Sequence, residues 1–255
     1  MDQVPEVTRQ PVVMATAACK RVTPHEFTIA QISDLHFGST EFSPGLSERV
    51  IDEVNGLDPD LVVVSGDLTM SGYRQEFLAA KACLDQLTCP DVLIIPGNHD
   101  SMNAGYIHFG EIIGPRRGVV SRRGALVVGI DSTQPDLGEG RVGRSQYDWI
   151  EEQLSAAAEL RVVALHHHLL PVPQTGRERN ICYDAGDVMQ LLVRSDTDLV
   201  LSGHKHVPFA WTLNGLTVVT AGTACSTRLR GVAEPSYNIL HSDGTTLTVT
   251  CRPSI

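Results

Sequence analysis

From Phe27 to Cys251 the chain alternates short, unbroken apolar runs with longer stretches whose apolar residues recur at helical spacing. Phe27–Ile32, Leu61–Val64, Val92–Ile95, Ala125–Ile130, Val162–Leu165 and Asp198–Leu201 read as strands, several of them apolar throughout, as strands buried on both faces are. Between them, Leu46–Val54, Gln75–Leu87, Ser145–Glu159 and Ala185–Val193 read as helices. Ser43, just ahead of Pro44, is the expected N-cap of the first. The C-terminal part changes character: Phe209–Leu213, Leu216–Thr220, Tyr237–Leu240 and Thr246–Cys251 follow one another as strands, with Asn214-Gly215 and Asp243-Gly244 as hairpin turns. Strands alternating with helices, then hairpins, predict an α/β sandwich with a mixed second sheet. No internal linker interrupts this pattern, so residues 25–255 are read as one domain behind a loose N-terminal arm, residues 1–24.

Composition narrows the classes. Hydrophobic residues make up 42% and charged residues 20% of 255, which excludes a disordered chain. No apolar stretch reaches bilayer-spanning length. The polar start, Met1 to Gln10, followed by the short run Val12-Val13-Met14-Ala15, lacks the basic start and long apolar core of a signal peptide. Cys19, Cys83, Cys89, Cys182, Cys225 and Cys251 form no CxxC pair and read as reduced thiols, so a cytoplasmic location is expected. With 30 acidic against 20 basic residues the formal charge is -10, which disfavours binding along a nucleic acid duplex.

The chemistry sits just beyond the strands. Phe27–Ile32 is followed by Ser33-Asp34-Leu35-His36, and Leu61–Val64 by Ser65-Gly66-Asp67. Val92–Ile95 leads into Pro96-Gly97-Asn98-His99-Asp100. Val162–Leu165 leads into His166-His167-His168, and Asp198–Leu201 into Ser202-Gly203-His204-Lys205-His206. Ligands of open α/β sheets bind where strand carboxyl ends converge, so five endings distant in sequence can meet in space. Singly, Asp34-Leu35-His36 and Gly66-Asp67 read more readily as ordinary capped turns, and Asn98-His99-Asp100 could simply close a loop; His204-Lys205-His206 is more specific, because alternate residues of an extended loop put both imidazoles on one side. Mixed imidazole, amide and carboxylate donors suit Mn, Fe, Zn, Co or Ni. There are more of them than one ion uses, and two ions roughly 3.5–4 Å apart sharing a carboxylate would polarise a phosphoryl group and activate water.

The order Asp-x-His, Gly-Asp, Gly-Asn-His-Asp, His, Gly-His-x-His resembles that of the calcineurin-like metallophosphoesterases. Within them it is most similar to the cyclic nucleotide phosphodiesterase and glycerophosphodiesterase branch. The resemblance implies a four-layer αββα sandwich with two mixed β-sheets, the metallo-dependent phosphatase fold. It implies that Asp34, His36 and His206 hold a first divalent metal ion, that Asn98, His166 and His204 hold a second, and that Asp67 bridges the two. It makes His99 the leaving-group acid or transition-state donor, held by Asp100. The family's usual ligand directly follows the fourth strand, hence His166, although His167 and His168 stay open as alternatives; His167 otherwise lines the substrate pocket. The branch often shows His-His-Pro-Pro, whereas Leu169-Leu170-Pro171 follows a third His here.

Arg177 and Arg179, in the loop from Gln174 to Asn180, are candidate substrate contacts because a guanidinium fork matches phosphate; a solvated loop explains them equally well. Arg228-Leu229-Arg230, beyond a later strand, is a weaker candidate of the same kind. The activity implied is hydrolysis of a small phosphodiester, a cyclic nucleotide or glycerophosphodiester, by metal-bound hydroxide. A phosphomonoesterase, a nuclease of the superfamily and a non-catalytic protein-binding scaffold of the same fold are the alternatives. A related branch forms dimers, which leaves a homodimer open.

Overall fold

The apolar runs become strands, and their two faces enter different cores. The computed structural model describes residues 10–21, 25–176, 180–230 and 233–254. Its strands and main helices run β1 (Val12–Ala18), β2 (Phe27–Ile32), α1 (Pro44–Leu57), β3 (Leu61–Val64), α2 (Arg74–Leu84), β4 (Val92–Ile94), α3 (Gly105–His108), β5 (Gly118–Arg122) and β6 (Ala125–Gly129). They continue with α4 (Tyr147–Leu154), β7 (Leu160–Ala164), α5 (Ala185–Arg194), β8 (Leu199–Ser202), β9 (Phe209–Leu213), β10 (Leu216–Thr220), β11 (Ser236–Ser242) and β12 (Thr246–Pro253). Two six-stranded sheets result, in the orders β1-β12-β11-β2-β3-β4 and β5-β6-β7-β8-β10-β9. Both are mixed: β2, β3 and β4 are parallel beside antiparallel β11, and β6, β7, β8 and β10 are parallel between antiparallel β5 and β9.

Side chains alternate across each strand, so one strand serves two cores. Leu61 and Val63 of β3 pack between the sheets with Ile29, Val127, Val162 and Leu201. Val62 and Val64 face outward onto Val54 of α1 and Phe77 of α2. In the second sheet Val128, Val163 and Val200 face Ile150 of α4 and Leu191 of α5. Three apolar layers thus separate helices, sheet, sheet and helices, the expected αββα order. Helix α1 opens as its sequence requires, with Ser43 Oγ accepting the Leu46 amide at 3.4 Å and Pro44 in the first turn.

The arm differs from expectation within its described part. Val12–Ala18 is β1, antiparallel to β12. Its local pattern carries no strong strand signal; the edge of β12 supplies the partner, and Met14 and Ala15 gain the inter-sheet core. Strand β5 also lacked a periodic signal, because it is an edge strand with few buried positions. Among the described residues no helix is long and apolar enough to cross a membrane.

Candidate metal centre

Strands β2, β3 and β4 of one sheet and β7 and β8 of the other point their carboxyl ends into a common region. Backbone bonds lock the loops together there: Asp34 N to Gly66 O at 2.9 Å, Gly203 N to His166 O at 3.0 Å and Ala224 N to Ser33 O at 3.0 Å. A buried amide bridge ties the sheets just beneath. Gln31 Nε2 donates to Ser65 Oγ and Ser202 O, and Asn238 Nδ2 donates to Gln31 Oε1.

The residues singled out at the strand ends arrive as one cluster, with Asp34, His36, Asp67, Asn98, His166, His204 and His206 all buried. His206 Nε2 lies 3.2 Å from Asp34 Oδ1, and His36 Nε2 faces His206 Nε2 at 2.9 Å. On the other side His166 Nε2 and His204 Nδ1 approach Asn98 Oδ1 at 3.1 and 2.9 Å. Asp67 stands between the two groups, its Oδ2 at 3.8 Å from His36 Nε2 and 3.4 Å from His166 Nε2. Its Oδ1 accepts the His99 amide at 2.9 Å, which aims Oδ2 at the histidines. Asp34, His36 and His206 form one group that would hold a cation, and Asp67, His166 and His204 another.

Outer hydrogen bonds fix which ring nitrogen points inward. His166 Nδ1 donates to Ser65 O at 2.8 Å, and His206 Nδ1 donates to the carbonyl of Arg228. With that proton committed, a neutral His206 ring would present the Nε2 lone pair inward, toward another imidazole nitrogen. Lone pairs and carboxylates converging in this way fit a divalent cation of the borderline class. Asp34 is held as firmly, by Ser33 Oγ at 2.6 Å and the His204 amide, while Thr223 Oγ1 donates to its carbonyl oxygen at 2.6 Å.

Electrostatics agree with a cluster of anions among imidazoles. Burial opposes charge on Asp67, but the surrounding histidines, His166 foremost, hold its carboxyl well below the usual range. Burial likewise opposes charge on Asp34, and the neighbouring histidines, His206 foremost with His166, together hold it below the usual range. Burial pushes His36 down to about 3, so it stays neutral, the form that binds metal. His166 goes the other way: burial works to lower it, yet the Asp67 carboxylate beside it carries it up to about 9.

The backbone at these residues is unusual. Asp34, His36, Asp67, His204 and His206 all take positive φ, between 53° and 71°. Side chains other than Gly adopt this region at a cost of roughly 1–2 kcal/mol each. The neighbouring loop approaches so closely that a Cβ on Gly97 would lie 2.1 Å from Asp67 Oδ1.

Two expectations turn out differently, those for Asp100 and His167. Asp100 does not touch His99; its carboxylate collects the amides of Gly97, Leu68 and Thr69 and the Thr69 hydroxyl, at 2.8 to 3.1 Å. It clamps two loops, because it turns away from the site on a 3-10 turn while His99 turns toward it. Burial and the nearby Asp67 charge raise it to about 6 against those amides. His99 instead is oriented by Met70, whose carbonyl accepts Nδ1–H at 2.6 Å, and its ring meets that of His36 edge-on at 4.9 Å. His167 lines no open pocket: successive residues after β7 face opposite ways, so it lies fully buried behind the ligands, 2.9 Å from Ser132 Oγ and under Gly140. His168 stacks on His204 at 5.7 Å. Arg177 and Arg179 lie outside the described residues.

What the motifs did not reveal are the holders. Ser65, Met70 and Arg228 act through backbone carbonyls, which carry no sequence signature.

The comparisons with known proteins fit this geometry. The family model described as calcineurin-like phosphoesterase matches residues 27–208. A probable cyclic nucleotide phosphodiesterase of Synechococcus sp. is 29% identical over 197 residues, covering 71% of this chain and 74% of the relative. The glycerophosphodiester phosphodiesterase GpdQ of Enterobacter lignolyticus is 29% identical over 198 residues, covering 70% of each. Among solved structures, a dimetal phosphatase of Danio rerio superimposes with a TM-score of 0.65 at 14% identity, over 90% of this chain and 96% of that one, a likeness of fold.

Proposed function

The chain belongs to the calcineurin-like phosphoesterase family, and from that premise we propose that it is a two-metal phosphodiesterase acting on small phosphodiesters such as cyclic nucleotides or glycerophosphodiesters. The observation that carries the reading is the position of Asp67 Oδ2 between His36 Nε2 and His166 Nε2, with a separate set of donors on either side. Asp34, His36 and His206 would hold one ion, Asn98, His166 and His204 the other, and Asp67 both. A pair of divalent ions supplies charge that polarises a phosphoryl oxygen and makes water nucleophilic near neutral pH.

The chain's own residues do the rest. The Met70 carbonyl keeps the Nδ1 proton of His99, which leaves Nε2 facing the cluster. A proton carried on Nε2 is delivered to the leaving oxygen as the ester bond breaks. Imidazole suits that transfer because one ring nitrogen can keep the orienting bond while the other carries the proton. Asp100, by gathering the amides of both neighbouring loops, keeps Asp67 and His99 in register. The substrate class follows the relatives named phosphodiesterase, and the net charge of -10 agrees with a small substrate rather than a duplex.

Reconstitution with Mn²⁺ and turnover of a chromogenic phosphodiester test the reading. The wild type should bind two equivalents and hydrolyse the ester. Asp67→Ala should weaken both sites and lower turnover by about a thousandfold or more, as loss of a shared ligand requires. Full turnover with two bound ions in Asp67→Ala sinks the bridging assignment. A wild type with no metal-dependent turnover of any ester favours the scaffold.

A further inference from the structure

Arg228 has a second role in the site besides the carbonyl that holds His206. It sits in the loop after β10, and that loop is fastened just ahead of it. Ser43 N donates to Cys225 O at 2.9 Å, Thr227 N donates to Glu41 O at 2.9 Å, and Ser226 Oγ accepts the Arg228 amide at 3.1 Å. From this fixed base the half-buried side chain reaches across the mouth of the cluster. Its Nη1 comes to 3.4 Å from His99 Nε2 and 3.3 Å from Met70 Sδ.

A thioether sulfur is a weak acceptor, and a ring nitrogen offers at most one lone pair to a group with five donors. The exposed Glu41 carboxylate also feels the Arg228 charge, but weakly, and its oxygen is taken by the Ser39 and Thr40 hydroxyls. Partners of that quality do not explain why a guanidinium is placed there. A phosphoryl oxygen would, because a charged fork on an anionic oxygen is among the strongest contacts a side chain makes. Charge points the same way. On the two-metal reading, two carboxylates, Asp34 and Asp67, face four positive charges, and Arg228 adds a fifth. Such an excess in a partly buried site is relieved by an anion arriving.

We propose that Arg228 is a phosphoryl-binding residue, its guanidinium closing with His99 Nε2 on one oxygen of the substrate phosphate. The assignment rests on the phosphoesterase reading. It makes Arg228 the specificity contact for a phosphoryl anion on the side of the site that carries the leaving-group histidine.

The test measures phosphate separately from metal. The full chain, its Arg228→Gln variant and its Arg228→Lys variant are titrated with Mn²⁺ by calorimetry, then, loaded with Mn²⁺, with inorganic phosphate. Gln keeps the backbone carbonyl on His206, so Mn²⁺ affinity should stay within about twofold. Phosphate should bind about 10- to 100-fold more weakly, the range for a lost charge-assisted bond. Lys should recover only part of the loss, since a point charge does not reproduce the fork. In the unmutated, Mn²⁺-loaded protein, phosphate should also slow phenylglyoxal modification of Arg228, read by peptide mass spectrometry. Unchanged phosphate affinity in Arg228→Gln, or unprotected modification of Arg228, overturns this assignment and leaves the metal centre standing. A wild type that binds no Mn²⁺, or binds it but no phosphate, overturns the phosphoesterase reading and this assignment with it.

Discussion

Leu61 and Asp67 belong to one strand and the turn that follows it, yet their surroundings share almost nothing. Leu61 is wholly buried between the sheets among aliphatic side chains, in extended backbone that any residue adopts. Asp67 is as deeply buried, at 1% exposure, but it is a carboxylate beside imidazoles, on backbone at φ 53°. The same contrast holds along β2, from Ile29 to Asp34, and along β8, from Leu199 to His204. Strand bodies are built from groups that gain by leaving water, and strand ends from groups that lose by it. The fold is stabilised by the first set, and that surplus holds the second in place.

The sharpest way to separate the two regions is to damage the body alone. Leu61→Ala leaves a cavity in the inter-sheet core at the end of β3 remote from Asp67 and should cost about 2–5 kcal/mol of stability. Turnover at 25 °C by the remaining folded protein should stay within about twofold, since the lesion lies away from the cluster. Chemical denaturation and a kcat measurement on one preparation check both halves. A large loss of kcat at full foldedness would mean that core packing and site geometry are not separable.

Gly97→Ala damages the end alone. The added methyl would lie 2.1 Å from Asp67 Oδ1 and 2.3 Å from its amide nitrogen, so the carboxylate proposed to be shared by the ions must move. A displacement of order 1 Å at a reacting centre costs about a hundredfold in rate, and Mn²⁺ affinity should fall with it. Stability should drop by about 1–3 kcal/mol, the range for overpacking. Wild-type metal affinity and rate in this variant would break the claim that close backbone approach sets the position of Asp67.

The two regions also differ in how far the sequence discloses them. Val62, Val63 and Val64 announce a two-sided buried strand by apolarity alone, and Ser43-Pro44 marks the start of α1 as clearly. Apolar periodicity is a local property and survives being read in one dimension. Val12–Ala18 is not disclosed, because it is a strand only through the offered edge of β12. In the site, residue type and order single out Asp34, His36, Asp67, Asn98, His166, His204 and His206, which the structure brings into one cluster, since holding a cation would restrict the side chains themselves. Adjacency in sequence misleads for Asp100 beside His99, and for His167 beside His166, because successive residues of a turn face opposite ways. The positive φ at five of the clustered residues leaves no trace, since Asp and His are chosen there for their ligand atoms and not for their backbone preference.

That last point separates strain with a function from strain without one, and it can be measured at Asp58. This residue ends α1 in the left-handed conformation, at φ 46° and ψ 56°, with its amide bonded to Asn55 O. It is exposed, and its backbone resembles that of Asp67. Glycine is the residue that helix ends of this kind favour, because it has no Cβ to strain. Asp58→Gly should therefore stabilise the protein by about 0.5 kcal/mol, the relief being partly offset by the greater freedom of glycine in the unfolded chain. Thermal denaturation would register this as a rise in Tm of a degree or two, with Mn²⁺ affinity and kcat unchanged. At Asp67 the same replacement removes the carboxylate at the centre of the cluster, so no relief of its backbone is available without loss of the proposed site. If Asp58→Gly lowers Tm, left-handed backbone carries no net cost in this chain, and the strain at Asp34, His36, Asp67, His204 and His206 needs no surplus from the strand bodies to maintain it.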